Sequence, residues 1–113
     1  MSRLVLSSHI LDTSTGKPAA GISVELYKKK ELSWVLWHST VATSDGRIQF
    51  PFSPESMDEG CYKLLFKVGD YYKARNITTL YPIVEITFNT NAGEHYHIPL
   101  LLSPYGYSTY RGS

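Results

Sequence analysis

"HYHIPLLLSPYGYSTYRGS", residues 95–113, alternates side-chain character at every second position. In a strand, residues two apart leave the same face. His95 and His97 therefore share a face that Leu101 continues, and Tyr96, Ile98, Leu100 and Leu102 line the opposite, core-facing side. The stretch predicts a strand over His95–Leu102 and a second over Tyr105–Tyr110, hinged at Ser103-Pro104. Chain ends usually fray, yet strand-forming residues and a guanidinium continue here as far as Tyr110 and Arg111. That tail is either a last edge strand with a solvated arginine or a segment built into a site.

The same period of two recurs upstream. Val5, Ser7, His9 and Leu11 fall on one face, with Leu4, Leu6, Ser8 and Ile10 on the other. "TGKPAAG" (15–21) is punctuated as a turn, and Ile22, Val24 and Leu26 alternate with Ser23, Glu25 and Tyr27. "WVLWHSTVAT" (34–43) is rich in aromatic and β-branched residues, which suit a strand. Ser44-Asp45-Gly46 makes a tight turn into a short strand around Arg47–Phe50. After a proline-bearing loop (51–60), Tyr62, Leu64, Phe66 and Val68 alternate with Lys63, Leu65 and Lys67. "GDYYKARN" (69–76) has room for two helical turns, with Asp70 as a cap. "YPIVEITFNT" (81–90) is a further strand that places Pro82 at its start, and Asn91-Ala92-Gly93 turns the chain. Seven or eight short strands and one small helix predict an all-β, two-sheet antiparallel sandwich, with residues 1–113 as a single domain.

Composition narrows the function classes. A chain of 113 residues with formal charge +1 has no basic excess for nucleic acid or a membrane surface. Lys28-Lys29-Lys30 reads as a solvated strand end. The lone Cys61 excludes an intrachain disulfide and, beside Tyr62, reads as a small buried hydrophobe. No apolar run reaches the roughly 20 residues that span a bilayer. "MSRLVLSSHIL" is too short in its apolar part for a secretory signal. The expected compartment is the cytoplasm, or the periplasm if a leader preceded this chain.

The candidate chemistry lies in histidines and one arginine. A solvated face explains His95 and His97 as well as a site does, and a site needs a second surface to cover them. A metal is a further option for His-x-His, with His9 as third nitrogen, but zinc wants three or four ligands and Cys61 lies on another strand. His9 sits among Val, Leu, Ile and Ser, and Arg47 directly follows a glycine turn. Spacing does not show whether these residues meet.

"LSSHILDTSTGKPAAG" (6–21), "TSDGR" (43–47) and residues 95–113 resemble the transthyretin-related family over nearly the whole chain. Within it they resemble the enzyme branch, the 5-hydroxyisourate hydrolases, in the histidines at His9 and His97 and in the terminal "YRGS". The resemblance implies a transthyretin-like sandwich and a homotetramer, a dimer of dimers, whose central channel is lined by the His9/His97 face. It implies a small purine-derived substrate, no cofactor and no metal. Carried onto this sequence, it makes His9, His97 and Arg47 catalytic. It assigns substrate binding to His9, Arg47, Ser108, Tyr110, Arg111 and Ser113. His95 would be peripheral to the site and His38 simply exposed. A carrier binding an aromatic ligand in the same channel, and a generic sandwich adhesion module, are the competing readings.

Overall fold

The computed structural model describes residues 5–113; Leu4, expected on the core side of the first strand, lies outside them. The strands are β1 (Leu6–Asp12), β2 (Lys17–Pro18), β3 (Ser23–Lys30), β4 (Ser33–Val41), β5 (Arg47–Gln49), β6 (Gly60–Phe66), β7 (Val84–Thr90), β8 (Tyr96–His97), β9 (Leu100–Ser103) and β10 (Gly106–Thr109). One helix, α1 (Val68–Lys73), follows β6. Two sheets result. One runs β4-β3-β6-β7, and the other runs β10-β9-β1-β2 with β5 and β8 also paired to β1.

The core is what the alternation requires. Leu6 and Ile10 from β1, Val24 and Leu26 from β3, Leu64 and Phe66 from β6, and Leu100 and Leu102 from β9 are each wholly buried. Burial of a side chain of this size contributes about 1.5–3 kcal/mol, so the facing stripes hold the two sheets together. Val5 is also buried, off the face expected for it, because regular alternation begins only at Leu6.

The departures from the expected elements have local causes. The strand expected over His95–Leu102 is broken into β8 and β9 by Pro99, which has no N–H for a ladder. Lys17–Pro18 forms a two-residue pairing with β1 inside what reads as a turn. β7 starts at Val84 rather than Tyr81. The preceding segment is held elsewhere, with Thr79 Oγ1 and Leu80 N donating to Pro104 O at 2.6 and 2.9 Å. Asp70 does not cap α1. The cap position is Lys67, without a side-chain hydrogen bond, and Asp70 lies in the first turn, where its charge still complements the helix dipole.

Three side chains differ from their sequence reading. Lys28 is only 12% exposed, reaching Asp58 at 3.4 Å and lying over the rings of Trp37 and Tyr62. Cys61 is half-buried. His38 is half-buried too, edge-on to Phe50 and Phe52 with ring centroids 5.9 Å away.

β1 organises the site. It pairs in parallel with β8 (Leu6 with Tyr96, Ser7 with His97) and with β9 (Ile10 with Leu100). It pairs antiparallel with β5 (Ser7 with Gln49, His9 with Arg47). A sheet that is otherwise antiparallel thus gains parallel partners at β1, joining residues far apart in the sequence.

Candidate active site

The outward face of β1 carries Ser7 and His9, both half-buried, while Leu6, Ser8 and Ile10 point into the sandwich. Cross-strand register then places the site. Residues directly opposite on paired strands project side by side, so Arg47 stands beside His9, and Gln49 and His97 flank Ser7. The turn before β5 fixes where Arg47 starts. Gly46 has φ +73°, and a Cβ there would come within 2.5 Å of Ile10 O, so the backbone packs against β1 as only glycine allows.

A cavity of about 240 Å³ opens on this face, lined by Arg47, Gln49, His95, His97 and Ser113, with Ser7, Ser8 and Ile48 in its floor. His9 borders it through Arg47. His9 Nε2 donates to Asp45 O at 2.8 Å; a carbonyl oxygen only accepts, so the proton sits on Nε2.

His97 is held on three sides. Its Nδ1 is 2.8 Å from Ser7 Oγ, and its carbonyl oxygen accepts from Gly112 N at 2.7 Å. Gly112 also lies close to the imidazole: a Cβ there would be 2.5 Å from His97 Cδ2. Burial, followed by the fields of His9, His95 and Arg47, lowers the His97 pKa below its ordinary value. His97 is therefore neutral at neutral pH, with a lone pair on one ring nitrogen. The charged or chargeable side chains lining the cavity are Arg47, His95 and His97, a setting that favours an anionic or carbonyl-rich ligand.

The tail divides between places. Ser113 reaches the His97 cavity. Tyr110 and Arg111 instead line a separate cavity of about 350 Å³ with Ile86, Phe88, Tyr96 and Ile98. Arg111 pairs with Glu94 at 3.1 Å, donates to His95 O at 2.9 Å and stacks its guanidinium over Tyr96 at 4.4 Å. Its hydrogen bond is the leading cause of the lowered Glu94 pKa. Ser108 faces outward opposite Leu101, in a depression shared with Thr13 and Tyr107. Of the residues singled out from the sequence, then, the protomer gathers His9, Arg47, His97 and Ser113, and sets Ser108, Tyr110 and Arg111 apart.

Ser7 and Gln49 were not singled out from the sequence as site residues, and Gly112 entered only as part of the terminal "YRGS". Alternation puts Ser7 on the face of His9 and Gln49 on that of Arg47, but only the pairing of β1 with β5 and β8 shows that these faces coincide. No group of three or more metal-ligating side chains occurs among the described residues.

Fold and site together define a transthyretin-like β-sandwich bearing a cationic, histidine-lined cavity on one outer face. Residues 6–112 match the model of the HIUase/Transthyretin family, and the chain belongs to that family. It is 44% identical over 110 residues to the 5-hydroxyisourate hydrolase of Salmonella dublin, covering 96% of this chain and 81% of that protein. The solved 5-hydroxyisourate hydrolase of Klebsiella pneumoniae superposes with a TM-score of 0.83 at 37% identity, covering 96% and 98% of the two chains. Sea bream transthyretin, solved with thyroxine, superposes with a TM-score of 0.90 at 25% identity, covering 96% and 94%. The backbone is thus at least as close to a thyroxine-binding protein as to a hydrolase, while the side chains are closer to the hydrolases. The fold leaves that choice to the residues at the site.

Proposed function

We propose that this protein hydrolyses 5-hydroxyisourate in urate degradation, opening the six-membered ring at a lactam carbonyl to give 2-oxo-4-hydroxy-4-carboxy-5-ureidoimidazoline. The observation that carries the reading is His97, its Nδ1 held by Ser7, at the wall of a polar cavity beside Arg47. A carrier of an aromatic ligand would be better served by apolar walls.

In this reading His97 and His9 position and activate water. Proton removal accompanies attack of the water oxygen on the carbonyl carbon. The ring C–N bond then breaks, and the same proton passes to the departing nitrogen, so protons balance across the turnover. Arg47 binds the anionic or carbonyl edge of the substrate through its planar fork of donors. Ser113 closes the cavity from the tail. Arg111 and Tyr110 keep the tail in place, and Ser108 extends the polar face. The cavity is open on its outer side, and a homotetrameric dimer of dimers would cover it.

The test is the decay of freshly generated 5-hydroxyisourate with and without catalytic amounts of the protein, alongside His97→Ala. Acceleration by wild type and not by the variant supports both enzyme and site. Equal decay in all samples rejects the reading and leaves a carrier, to be sought by titration with thyroxine.

A further inference from the structure

We propose that Ser7 is the positioning residue for His97, its hydroxyl setting which ring nitrogen faces the substrate and following that nitrogen through a change of protonation. The inference rests on the hydrolase reading for its kinetic consequence, though not for its geometry.

Three observations carry it. Ser7 Oγ lies 2.8 Å from His97 Nδ1. The two residues are direct partners in the parallel register of β1 and β8, so the contact is built by backbone pairing and does not depend on a mobile loop. Gly112 packs against Cδ2, on the far side of the ring from Nδ1, so the imidazole cannot swing away from Ser7 without displacing the tail. With Nδ1 committed to Ser7, Nε2 is the nitrogen left to act on a substrate.

The choice of hydroxyl has a chemical meaning. A carboxylate or backbone carbonyl beside Nδ1 only accepts, and holds the proton there throughout. A serine hydroxyl both donates and accepts. When Nδ1 carries hydrogen it donates to Oγ, and the Nε2 lone pair can take a proton from water. The resulting imidazolium keeps the same bond and returns the Nε2 proton to the leaving nitrogen. When Nε2 carries hydrogen instead, the hydroxyl rotates and donates to Nδ1, and His97 presents a donor to the substrate. A carboxylate would also raise the affinity of His97 for protons, whereas the groups that face this ring are His9 from β1, Arg47 from β5 and His95 from its own segment. Those chargeable groups are all cationic when protonated, and a neutral hydroxyl leaves their effect intact.

The test uses the full chain with Ser7→Ala and Ser7→Thr, measured by steady-state kinetics on 5-hydroxyisourate and by two-bond ¹H–¹⁵N NMR of the His97 ring. Misplacing a reacting group by about 1 Å costs up to about 10²-fold. Ser7→Ala is therefore expected to lower kcat about 10- to 10²-fold with KM within about threefold. Ser7→Thr, which keeps the hydroxyl, is expected to restore most of that rate. In Ser7→Ala the His97 Nδ1 shift should change as that nitrogen loses its hydrogen-bond partner, in a protein of unchanged assembly. Wild-type kcat or unchanged His97 nitrogen shifts in Ser7→Ala would overturn the assignment. If wild type itself leaves 5-hydroxyisourate untouched, the hydrolase reading fails, and the NMR comparison still decides whether Ser7 holds Nδ1 of His97.

Discussion

At the scale of single residues, the site turns on how His97 is kept uncharged. Burial first, then the fields of His9, His95 and Arg47, depress its pKa, so the acid limb of kcat/KM is expected at a pH below the ordinary histidine value of about 6.5. Substituting Arg47→Gln removes one of those neighbours. The His97 midpoint, followed by ¹H–¹⁵N NMR, should then move up while turnover falls. The same depression affects stability. Below about 6.5 the unfolded chain binds a proton that the folded chain refuses, so this contribution is intact above that pH and is lost as pH falls through the lowered folded value. A second expectation concerns Gly112, where any Cβ meets the imidazole at 2.5 Å. Gly112→Ala should cost at least about tenfold in kcat, with a far-ultraviolet spectrum like that of wild type. Wild-type kinetics there would mean that the ring or the tail moves aside without consequence.

At the scale of elements, α1 is tied to the site strand by one buried contact. Asp12, at the end of β1, is 1% exposed and accepts from Tyr71 Oη at 2.9 Å and from Ser14 N at 3.0 Å. Burial first, then the bond to Asp12, raises the Tyr71 pKa and keeps the phenol a donor. Tyr71→Phe should lose about 1–3 kcal/mol in urea denaturation, the usual cost of a buried acceptor deprived of a partner. The adjacent Tyr72 makes a contrast. Its hydroxyl is buried without a hydrogen-bond partner among the described residues, and burial pushes its pKa to about 12. Tyr72→Phe should leave stability unchanged or raise it. The strands themselves were legible because one-sided burial imposes a period of two, as Tyr62, Leu64 and Phe66 show. What alternation does not encode is pairing. Nothing local to "SSHIL" says that β1 accepts β8 and β9 in parallel, so His9, Arg47 and His97 could be named from motif resemblance but not brought together by pattern. The tail shows the converse. Arg111 could be named from motif resemblance, but its contacts with Glu94, His95 and Tyr96 could not be read from the sequence.

At the scale of the whole molecule, the outward face of the β1 sheet remains the question. Half-buried Ser7, His9, Leu11, His97 and Leu101 lie on it, and the cavity is open there. In the proposed homotetramer another copy covers this face. Gel filtration is expected to give a four-chain mass, and the melting temperature should rise with protein concentration, as it does when assembly and folding are linked. A monomer at all concentrations would remove the covering surface from the argument. Removing residues 110–113 should abolish turnover while shifting the melting temperature little, since Tyr110 and Arg111 are exposed and the core excludes them.

The parallel pairing of β1 with β8 and β9 also has a consequence during biosynthesis. His9 leaves the ribosome well before its companion His97. Until residues 96–103 have cleared the exit tunnel, β1 lacks its β8 and β9 partners, and the backbone groups on that edge stay unpaired. Contacts this distant in sequence form slowly, and a waiting strand edge is open to misassociation. Catalytic competence therefore waits on the pairing of β8 and β9 with β1, and a nascent chain stalled before β8 holds the first half of a site that has nothing yet to close on.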